Sequence, residues 1–325
     1  MSGTAVAPSS PGSEAGRVPR DFAIVARIAI ATAALMFFLI VVGSVVRTTG
    51  SGLACPDWPL CHGRLIPPFQ FNILIEWFHR LLALIVGLGL LSTAVWTFTH
   101  AATRARLGGL AALSIALYFA QALLGALTVW KLLDPNVVSG HLAVALLLFA
   151  TLLTLGLIAR HESRPAADIA PSPTGLGTWF AIATAAIWAQ AVLGGMVSTN
   201  HASLVCHDWP TCNGEWFPPM SGLVGLQMSH RFGAYALVTL LGLLAWRSRS
   251  AADPVVRRAG GWLFVLVLLQ AGFGILNIYL GIPVWLSALH LANAAFMLAL
   301  SLIATFRLST QPARAANSEL QAVSR

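Results

Sequence analysis

Charged residues are scarce in this chain, and that scarcity restricts its class more than any other feature. Only 9% of the 325 residues are charged, whereas 57% are hydrophobic. Soluble domains carry roughly a quarter charged residues, so the composition excludes a soluble globular protein. Eight apolar stretches each supply the ~20 residues that a spanning helix needs, near residues 25–46, 74–98, 108–129, 139–159, 176–197, 226–246, 260–280 and 285–306.

A cleavage site is also missing after the first apolar stretch. The small residues that mark a cleaved signal peptide do not follow it, so we expect this stretch to be retained as a span. Helices are the expected spanning form because backbone groups in lipid must be hydrogen-bonded within the segment. The predicted fold class is an all-α integral membrane protein with eight transmembrane helices.

A basic patch that could bind nucleic acid is absent as well, although the formal net charge is +8. Most of the 19 basic residues lie in the two tails and in the loops after spans 2, 4 and 6. Such loops stay on the cytoplasmic side, which predicts that both termini are cytoplasmic. The single lysine points to a GC-rich genome and hence to a bacterial inner membrane. Five basic residues lie on the other side: Arg47, Arg64, Arg80, Lys131 and Arg231.

The chain does contain an internal repeat with an offset of about 151 residues. Because each half has four spans, both halves enter the membrane in the same direction. This predicts two pseudo-symmetric four-helix bundles related by an axis along the membrane normal. The repeated segments are Cys55-Pro-Asp-Trp-Pro-Leu-Cys61 with Cys206-His-Asp-Trp-Pro-Thr-Cys212, and Glu76-Trp-Phe-His79-Arg80 with Gln227-Met-Ser-His230-Arg231.

Composition and the repeat divide the chain into five segments. The termini are rich in Ser, Pro, Gly and Ala, which is typical of disorder, and the central linker contains three prolines. The oligomeric state stays open, a homo-oligomer included. We expect a disordered cytoplasmic tail over 1–24, an N-terminal bundle over 25–160, a cytoplasmic linker over 161–175, a C-terminal bundle over 176–308 and a second tail over 309–325.

All four cysteines fall in the two long loops after spans 1 and 5. Paired thiols become oxidised outside the cytoplasm, and the repeat favours the disulfides Cys55–Cys61 and Cys206–Cys212. A metal site is the alternative, since His62 and His207 adjoin cysteines, but the repeat does not keep these histidines in register. A redox-active role for such short rings also stays open. Each loop repeats Trp-Pro, and we hypothesise that each forms a lid.

Two histidines per half lie at matching depth near the non-cytoplasmic ends of their spans. They are His79 and His141 in the first half and His230 and His290 in the second. Two imidazoles facing each other across a four-helix bundle are suited to bind a haem iron from both axial sides. A single such histidine could simply be hydrogen-bonded to a loop, but four in register with a duplication favour ligands.

An acidic residue accompanies the histidines in one half only. Glu76 precedes His79 by three residues, so both project from nearly the same helical face. A carboxyl group there suits proton exchange or the stabilisation of positive charge. The structural alternative is a carboxylate that caps the start of span 2, where the helix dipole favours negative charge. Its counterpart Gln227 cannot titrate, which predicts that the two sites do different work.

Two further pairs of polar residues repeat beside the histidines. Arg80 and Arg231 are predicted to pair with haem propionates, with snorkelling to the headgroups as the alternative. Gln121 and Gln270 are expected to join neighbouring helices rather than to orient a ligand. A haem held by two histidines has no free position at iron, which leaves electron transfer or a site where the haem itself is modified.

These motifs are similar to those of the haem A synthase family. The resemblance runs from about residue 24 to 306 and rests on the Val46–Cys61 segment, the Glu76-x-x-His79-Arg80 set and the duplicated halves. It implies an eight-span oxidoreductase that converts the C8 methyl group of haem O to the formyl group of haem A for the terminal oxidase. It further implies that His230 and His290 ligate a permanent haem b, that His79 and His141 hold the haem O substrate and that Glu76 is catalytic.

The same resemblance implies the partners. They are the lipid bilayer and haem O, with haem O synthase and an electron acceptor as further candidates. The alternative function is a non-enzymatic di-haem b membrane protein that transfers electrons or handles haem during cytochrome assembly. Histidines that all lie near one face argue against electron transfer across the membrane, whereas a haem carrier stays open.

Overall fold

The computed structural model describes residues 17–164 and 172–311, and those ranges fold into eight long helices. Each helix is long and apolar enough to cross a membrane, which confirms the predicted fold class. A short 3-10 turn, Ala202–Leu204, follows the fifth helix. The helices are α1 (Arg17–Thr48), α2 (Phe71–Thr99), α3 (Ala101–Trp130), α4 (Pro135–Glu162), α5 (Leu176–Thr199), α6 (Gly222–Ser248), α7 (Pro254–Tyr279) and α8 (Val284–Ser309).

The first helix begins earlier than the apolar pattern predicts. The expectation of disorder up to residue 24 is wrong from Arg17 onward, because α1 already runs there. Phe22 and Val25 are buried in a cluster with Leu107 and Leu155, and this packing extends the helix beyond the apolar span. Residues 1–16 and 312–325, which hold most of the two expected tails, lie outside the described ranges. So do residues 165–171 of the expected linker.

Each half of the chain forms a ring of four helices. In the N-terminal ring (α1–α4), α1 and α3 both pack against α2 and α4, and the C-terminal ring (α5–α8) repeats this arrangement. α1 and α3 also touch across the first ring, whereas no comparable contact joins α2 to α4, or α6 to α8, in the described ranges. The two histidine-bearing helices of each ring therefore lie opposite each other, α2 across from α4 and α6 across from α8.

The two rings share one apolar core. α1 packs against α8, α4 against α5, and α4 against α8. The Trp188 indole N–H donates to the carbonyl of Ala143 at 3.2 Å, and the hydroxyls of Ser139 and Thr199 are 2.8 Å apart. The interface pairs are those expected for two halves related by a two-fold axis. The axis itself and the side on which the termini lie stay predictions.

Candidate functional site

The four candidate ligands all lie at the end of the molecule that carries the disulfides. His79 and His230 are each eight residues after the start of α2 and α6. His141 and His290 are each six residues after the start of α4 and α8. The helix registers therefore bring one pair of imidazoles into each ring at the same level, as the repeat predicts.

Each imidazole packs against a glycine of a neighbouring helix. A methyl group added at Gly194 would lie only 2.9 Å from Cε1 of His230, and one at Gly43 would lie 3.1 Å from Cε1 of His79. The approach at Gly194 is shorter than carbon atoms tolerate, so a side chain there would displace the ring, and the approach at Gly43 is tight enough to push against it. The contacting pairs are His79 with Gly43, His230 with Gly194, His141 with Gly125 and His290 with Gly274.

Sequence reasoning did not select these glycines as site residues, although the signal was present. Gly43 and Gly194 are related by the same offset of 151 that relates His79 to His230, and Gly125 and Gly274 by the offset of 149 that relates His141 to His290. A glycine inside a spanning helix is unremarkable alone because glycine is common in such helices. A glycine that repeats with the same offset as a histidine is the feature that indicates a contact between the two.

The ring nitrogens carry the test of whether these residues fit a haem. Nδ1 of His79, His141 and His290 is enclosed without a hydrogen-bond partner among the described residues. Unpartnered buried polar atoms are rare in proteins and call for an explanation, such as a ligand bound at the site.

The composition of the site also fits a haem better than a bare metal ion. No group of three or more His, Cys, Asp or Glu side chains in the described ranges is arranged to hold a metal ion. Two imidazoles supply only the axial ligands of an octahedral iron, and a porphyrin supplies the other four. The residues present therefore fit an iron porphyrin in each ring.

Glu76 is buried and both of its carboxylate oxygens are engaged. Oε1 lies 2.5 Å from Nη2 of Arg80, and Oε2 accepts the backbone N–H of Cys55 at 2.7 Å. The carboxylate does not cap α2, whose N-cap is Gln70, so the capping alternative is wrong. Glu76 instead connects the helix that carries His79 to the cysteine loop.

Both arginines hold a disulfide loop, a role that neither sequence interpretation anticipated. We call residues 49–70 the first disulfide loop and residues 200–221 the second. Arg80 donates from Nη1 and Nη2 to three carbonyls of the first loop, and Arg231 does the same in the second. The acceptors are Asp57 (2.6 Å), Leu60 (2.6 Å) and Cys55 (3.0 Å) for Arg80, and Asp208 (2.9 Å), Thr211 and Cys206 (2.9 Å) for Arg231. Pairing with propionates stays a prediction.

The two disulfide loops are built alike. The disulfides Cys55–Cys61 and Cys206–Cys212 are both formed, which confirms the predicted pairing and leaves no free cysteine for a metal. The Asp57 carboxylate accepts backbone N–H groups of the following turn, first of all that of Gly63, and these bonds lower its pKa. The Thr211 hydroxyl and similar backbone bonds lower the pKa of Asp208.

Three of the differences between the rings are amide side chains near the histidines of the second ring. Gln227 replaces the ion-paired Glu76. Its Nε2 donates to the backbone carbonyl of Ser203 at 3.3 Å, while its Oε1 has no partner among the described residues. Gln190 stands where the first half has Leu39, and its Nε2 lies 3.0 Å from Nδ1 of His230. Asn293 stands where the first half has Val144.

The repeated glutamines Gln121 and Gln270 also differ in what they contact. Nε2 of Gln121 lies 3.3 Å from Nε2 of His141, so this amide reaches a candidate ligand as well as joining α3 to α4. Gln270 accepts from Asn293 at 2.7 Å and thereby joins α7 to α8, as expected. Equivalent amides thus serve different partners in the two rings.

Comparison with known proteins identifies one matching family and several similar proteins. The chain matches the model of the COX15-CtaA family, described as cytochrome oxidase assembly protein, over residues 26–71 and 68–302. It is 31% identical over 263 residues to a haem A synthase of Symbiobacterium thermophilum, which covers 77% of this chain and 84% of the relative. Haem A synthases of Macrococcus caseolyticus (31% over 273 residues; 81% and 90% covered) and Shewanella oneidensis (30% over 307 residues; 81% and 91% covered) are similar too.

The glycine contacts lead to a first prediction. Gly194→Ala should weaken haem binding in the C-terminal ring because the added carbon overlaps His230. Overpacking of this kind costs ~1–3 kcal/mol, which corresponds to a rise of roughly 5- to 150-fold in the haem dissociation constant. Haem content per mole of purified protein measures the effect. Gly272→Ala on α7 is the matched control, since nothing lies within 4 Å of its added carbon; equal haem content in both variants would contradict the role of Gly194.

Proposed function

Because the chain belongs to the COX15-CtaA family of cytochrome oxidase assembly proteins, we propose that it is a haem A synthase. Its reaction is the oxidation of the C8 methyl group of haem O to a formyl group, within the bacterial cytoplasmic membrane. The observation that carries this proposal is the pair of glycine-packed imidazoles that lies at one level in each ring, with a buried carboxylate on a histidine-bearing helix of only the first ring.

The two rings divide the work in this proposal. His79 and His141 hold the haem O substrate in the N-terminal ring, and His230 and His290 hold a resident haem b in the C-terminal ring. The asymmetry at position 76 supports this division, because a carboxylate stands beside the histidine in the first ring and the neutral amide of Gln227 stands at the equivalent position in the second. When bound, a haem ligated by two histidines supplies one-electron transfer at iron.

The residues of the N-terminal ring would position the substrate and stabilise charge. His79 and His141 would hold and orient the porphyrin, which leaves its edge as the place where chemistry occurs. In this proposal the methyl group is oxidised twice, first to the alcohol and then to the hydrate of the aldehyde. In each step a water molecule supplies the oxygen atom, an external electron acceptor takes up two electrons, and two protons are released. Positive charge that develops at the methyl carbon is stabilised by the Glu76 carboxylate, which is held within one helical turn of His79. Its contacts with Arg80 and Cys55 favour this role over proton uptake, because both oxygens already act as acceptors.

The first disulfide loop would cover the N-terminal ring at the end where His79 lies. Arg80 and the Cys55 amide attach this loop to α2 close to His79. Trp58 of the loop packs edge-on against Trp130 at the end of α3, with ring centroids 6.3 Å apart. The loop therefore spans from α2 to α3, which suits a lid that keeps water away from the substrate.

Pigment analysis tests the proposal against a haem-binding protein without activity. Protein produced together with a source of haem O should yield haem A or its hydroxymethyl precursor besides haem b on extraction. Protein produced without haem O should yield haem b alone. Chromatography and mass spectrometry of the extracted porphyrins distinguish the cases. Haem b alone under both conditions would favour the di-haem b alternative.

The division between the rings predicts different consequences for the two kinds of histidine. His230→Ala should lose the resident haem b, whereas His79→Ala should retain it and lose occupancy by haem O. Absorption spectra and haem stoichiometry of the purified variants measure both effects. His62→Ala serves as a control, since this loop histidine contacts Ala54 rather than either site. The opposite pattern would reverse the assignment of the rings.

The charge of Glu76 should be required for the chemical step but not for haem binding. Glu76→Gln reproduces the second half and should lower turnover by roughly 10²–10³ because one preorganised charge is lost. Both haems should remain bound, as read from the spectra.

Two companion variants separate charge from loop structure. Gln227→Glu should leave activity unchanged. Arg80→Gln breaks the same ion pair but keeps the carboxylate, so an equal loss of turnover in Arg80→Gln would assign the effect to the loop. Full activity in a Glu76→Gln protein that holds both haems would remove Glu76 from the mechanism.

A further inference from the structure

Each disulfide loop ends in a cluster of large, exposed apolar side chains just ahead of the helix that follows. We call residues 65–71 the first apolar tip and residues 216–222 the second. Leu65 and Phe69 are 80% and 83% exposed, and Phe217 is 83% exposed. Contiguous exposed apolar groups on a folded surface mark a contact with another protein or with lipid. Their position along the helices and the charges beside them indicate what covers them.

The first apolar tip lies beside α2 rather than beyond its end. The Trp77 indole N–H donates to the carbonyl of Leu65 at 2.8 Å. Trp77 is six residues into α2, which places it ~9 Å below Phe71 at 1.5 Å per residue. The loop therefore folds back along the helix toward the centre of the membrane.

The second apolar tip does the same through a different contact. The ring of Phe217 stacks on that of Phe232, with centroids 5.9 Å apart. Phe232 is ten residues into α6, or ~15 Å along the axis. Helical side chains lean toward the helix start, so the contact lies somewhat above that level, but still beside the helix. Two unrelated contacts thus place both tips beside the first turns of the helix that follows them.

The length of the helices relates this position to the bilayer. α2 has 29 residues and is therefore ~44 Å long, which matches the ~40–45 Å of a bilayer with its headgroups. The start of α2 then lies at the outer edge of the headgroups. The first apolar tip runs from Phe71, at this start, down to Leu65, whose carbonyl is bonded to a side chain in the second turn of α2. It therefore extends from the headgroups toward the boundary with the acyl chains, the depth at which interfacial apolar faces bind.

The charges at the tips indicate which component of the surroundings is bound. Arg64 precedes the first tip and Glu215 precedes the second, at equivalent positions of the repeat. Opposite charges at equivalent positions argue against a shared charged partner. The feature common to both tips is their apolar surface, and in the first tip this surface is continuous with the exposed side of α2 through Phe71, which is 65% exposed.

We propose that both apolar tips insert into the membrane leaflet on the disulfide-loop side and contact phospholipid acyl chains near the headgroups. Each disulfide loop is then attached at two places, to its own helix through the arginine and to the bilayer through its tip. The argument rests on the position of the loops and is independent of the reaction that the rings carry out.

Site-specific photocrosslinking tests the proposal in the full-length protein. Benzoylphenylalanine replaces Phe69 or Phe217, both aromatic, and the protein is irradiated in native membranes and in nanodiscs of phosphatidylethanolamine and phosphatidylglycerol. Mass spectrometry identifies what is attached. Lipid adducts should form at positions 69 and 217 in both settings. At His207, an exposed polar position of the second disulfide loop, lipid adducts should be about tenfold fewer, because burial of an apolar side chain favours lipid over water by at least that ratio.

Other outcomes overturn the proposal. Crosslinks from 69 and 217 to another protein in native membranes would make the tips a docking surface for that protein. Benzoylphenylalanine in place of Leu88, in the middle of α2, is the positive control. If position 88 gives lipid adducts and positions 69 and 217 give none, the tips lie in water. Equal lipid adducts at 217 and 207 would remove any preference of the tips for lipid.

A second measurement uses only natural residues, so its result does not depend on whether the protein folds with benzoylphenylalanine in place. Brominated phospholipids should quench part of the tryptophan fluorescence of the wild-type protein, and Trp216→Phe should remove a quenchable component. Trp246→Phe, which alters an exposed tryptophan at the opposite end of α6, reports quenching from the other leaflet. If bromine placed only in the disulfide-loop leaflet quenches wild type and Trp216→Phe equally, the second tip does not reach lipid.

Discussion

The contact between an imidazole and a glycine, made four times, is the constraint on which the site depends. A haem can enter between two histidines only if their rings stand back against the neighbouring helices. Gly43 and Gly194 provide that space for His79 and His230, since a Cβ at Gly194 would collide with Cε1 of His230 and one at Gly43 would crowd Cε1 of His79. Gly125 and Gly274 pack against His141 and His290 more loosely, with 3.3 and 3.4 Å from an added Cβ to Cε1. The opposed histidine-bearing helices and the glycines beside them therefore act together to leave space between the imidazoles.

A second constraint is the treatment of charge near the membrane surface. The guanidinium groups of Arg80 and Arg231 would be costly at this depth without partners, and loop carbonyls satisfy them. The arginines thereby attach each disulfide loop to the helix that carries a candidate ligand. In the first ring Glu76 joins this network; in the second, Gln227 does not, and Nε of Arg231 is left without a partner among the described residues. The asymmetry in charge is thus also an asymmetry in how firmly the loop is attached.

Much of this architecture could be predicted from the sequence, and the errors have physical causes. The eight spans agree with the helices apart from their ends, and α1 was set too short because Phe22 lies in a mixed polar segment and is buried only by packing against other helices. Gln190 and Asn293 were overlooked because their counterparts are Leu39 and Val144. A repeat draws attention to what both halves share, whereas these amides distinguish them. The carbonyl acceptors of Arg80 could not be predicted because they lie some 20–25 residues earlier in the chain and carry no mark in the sequence.

The sequence alone determined the membrane class, the eight helices, the disulfide pairing and the matched depth of the four histidines. These properties follow from apolar length, from residue type and from an offset along the chain, all of which are one-dimensional. The tertiary structure decided which glycine faces which imidazole, which carbonyls receive the arginines and that the apolar tips lie beside their helices. Those choices depend on contacts between residues distant in the chain, where a long side chain has several acceptors within reach and only the packed helices select among them.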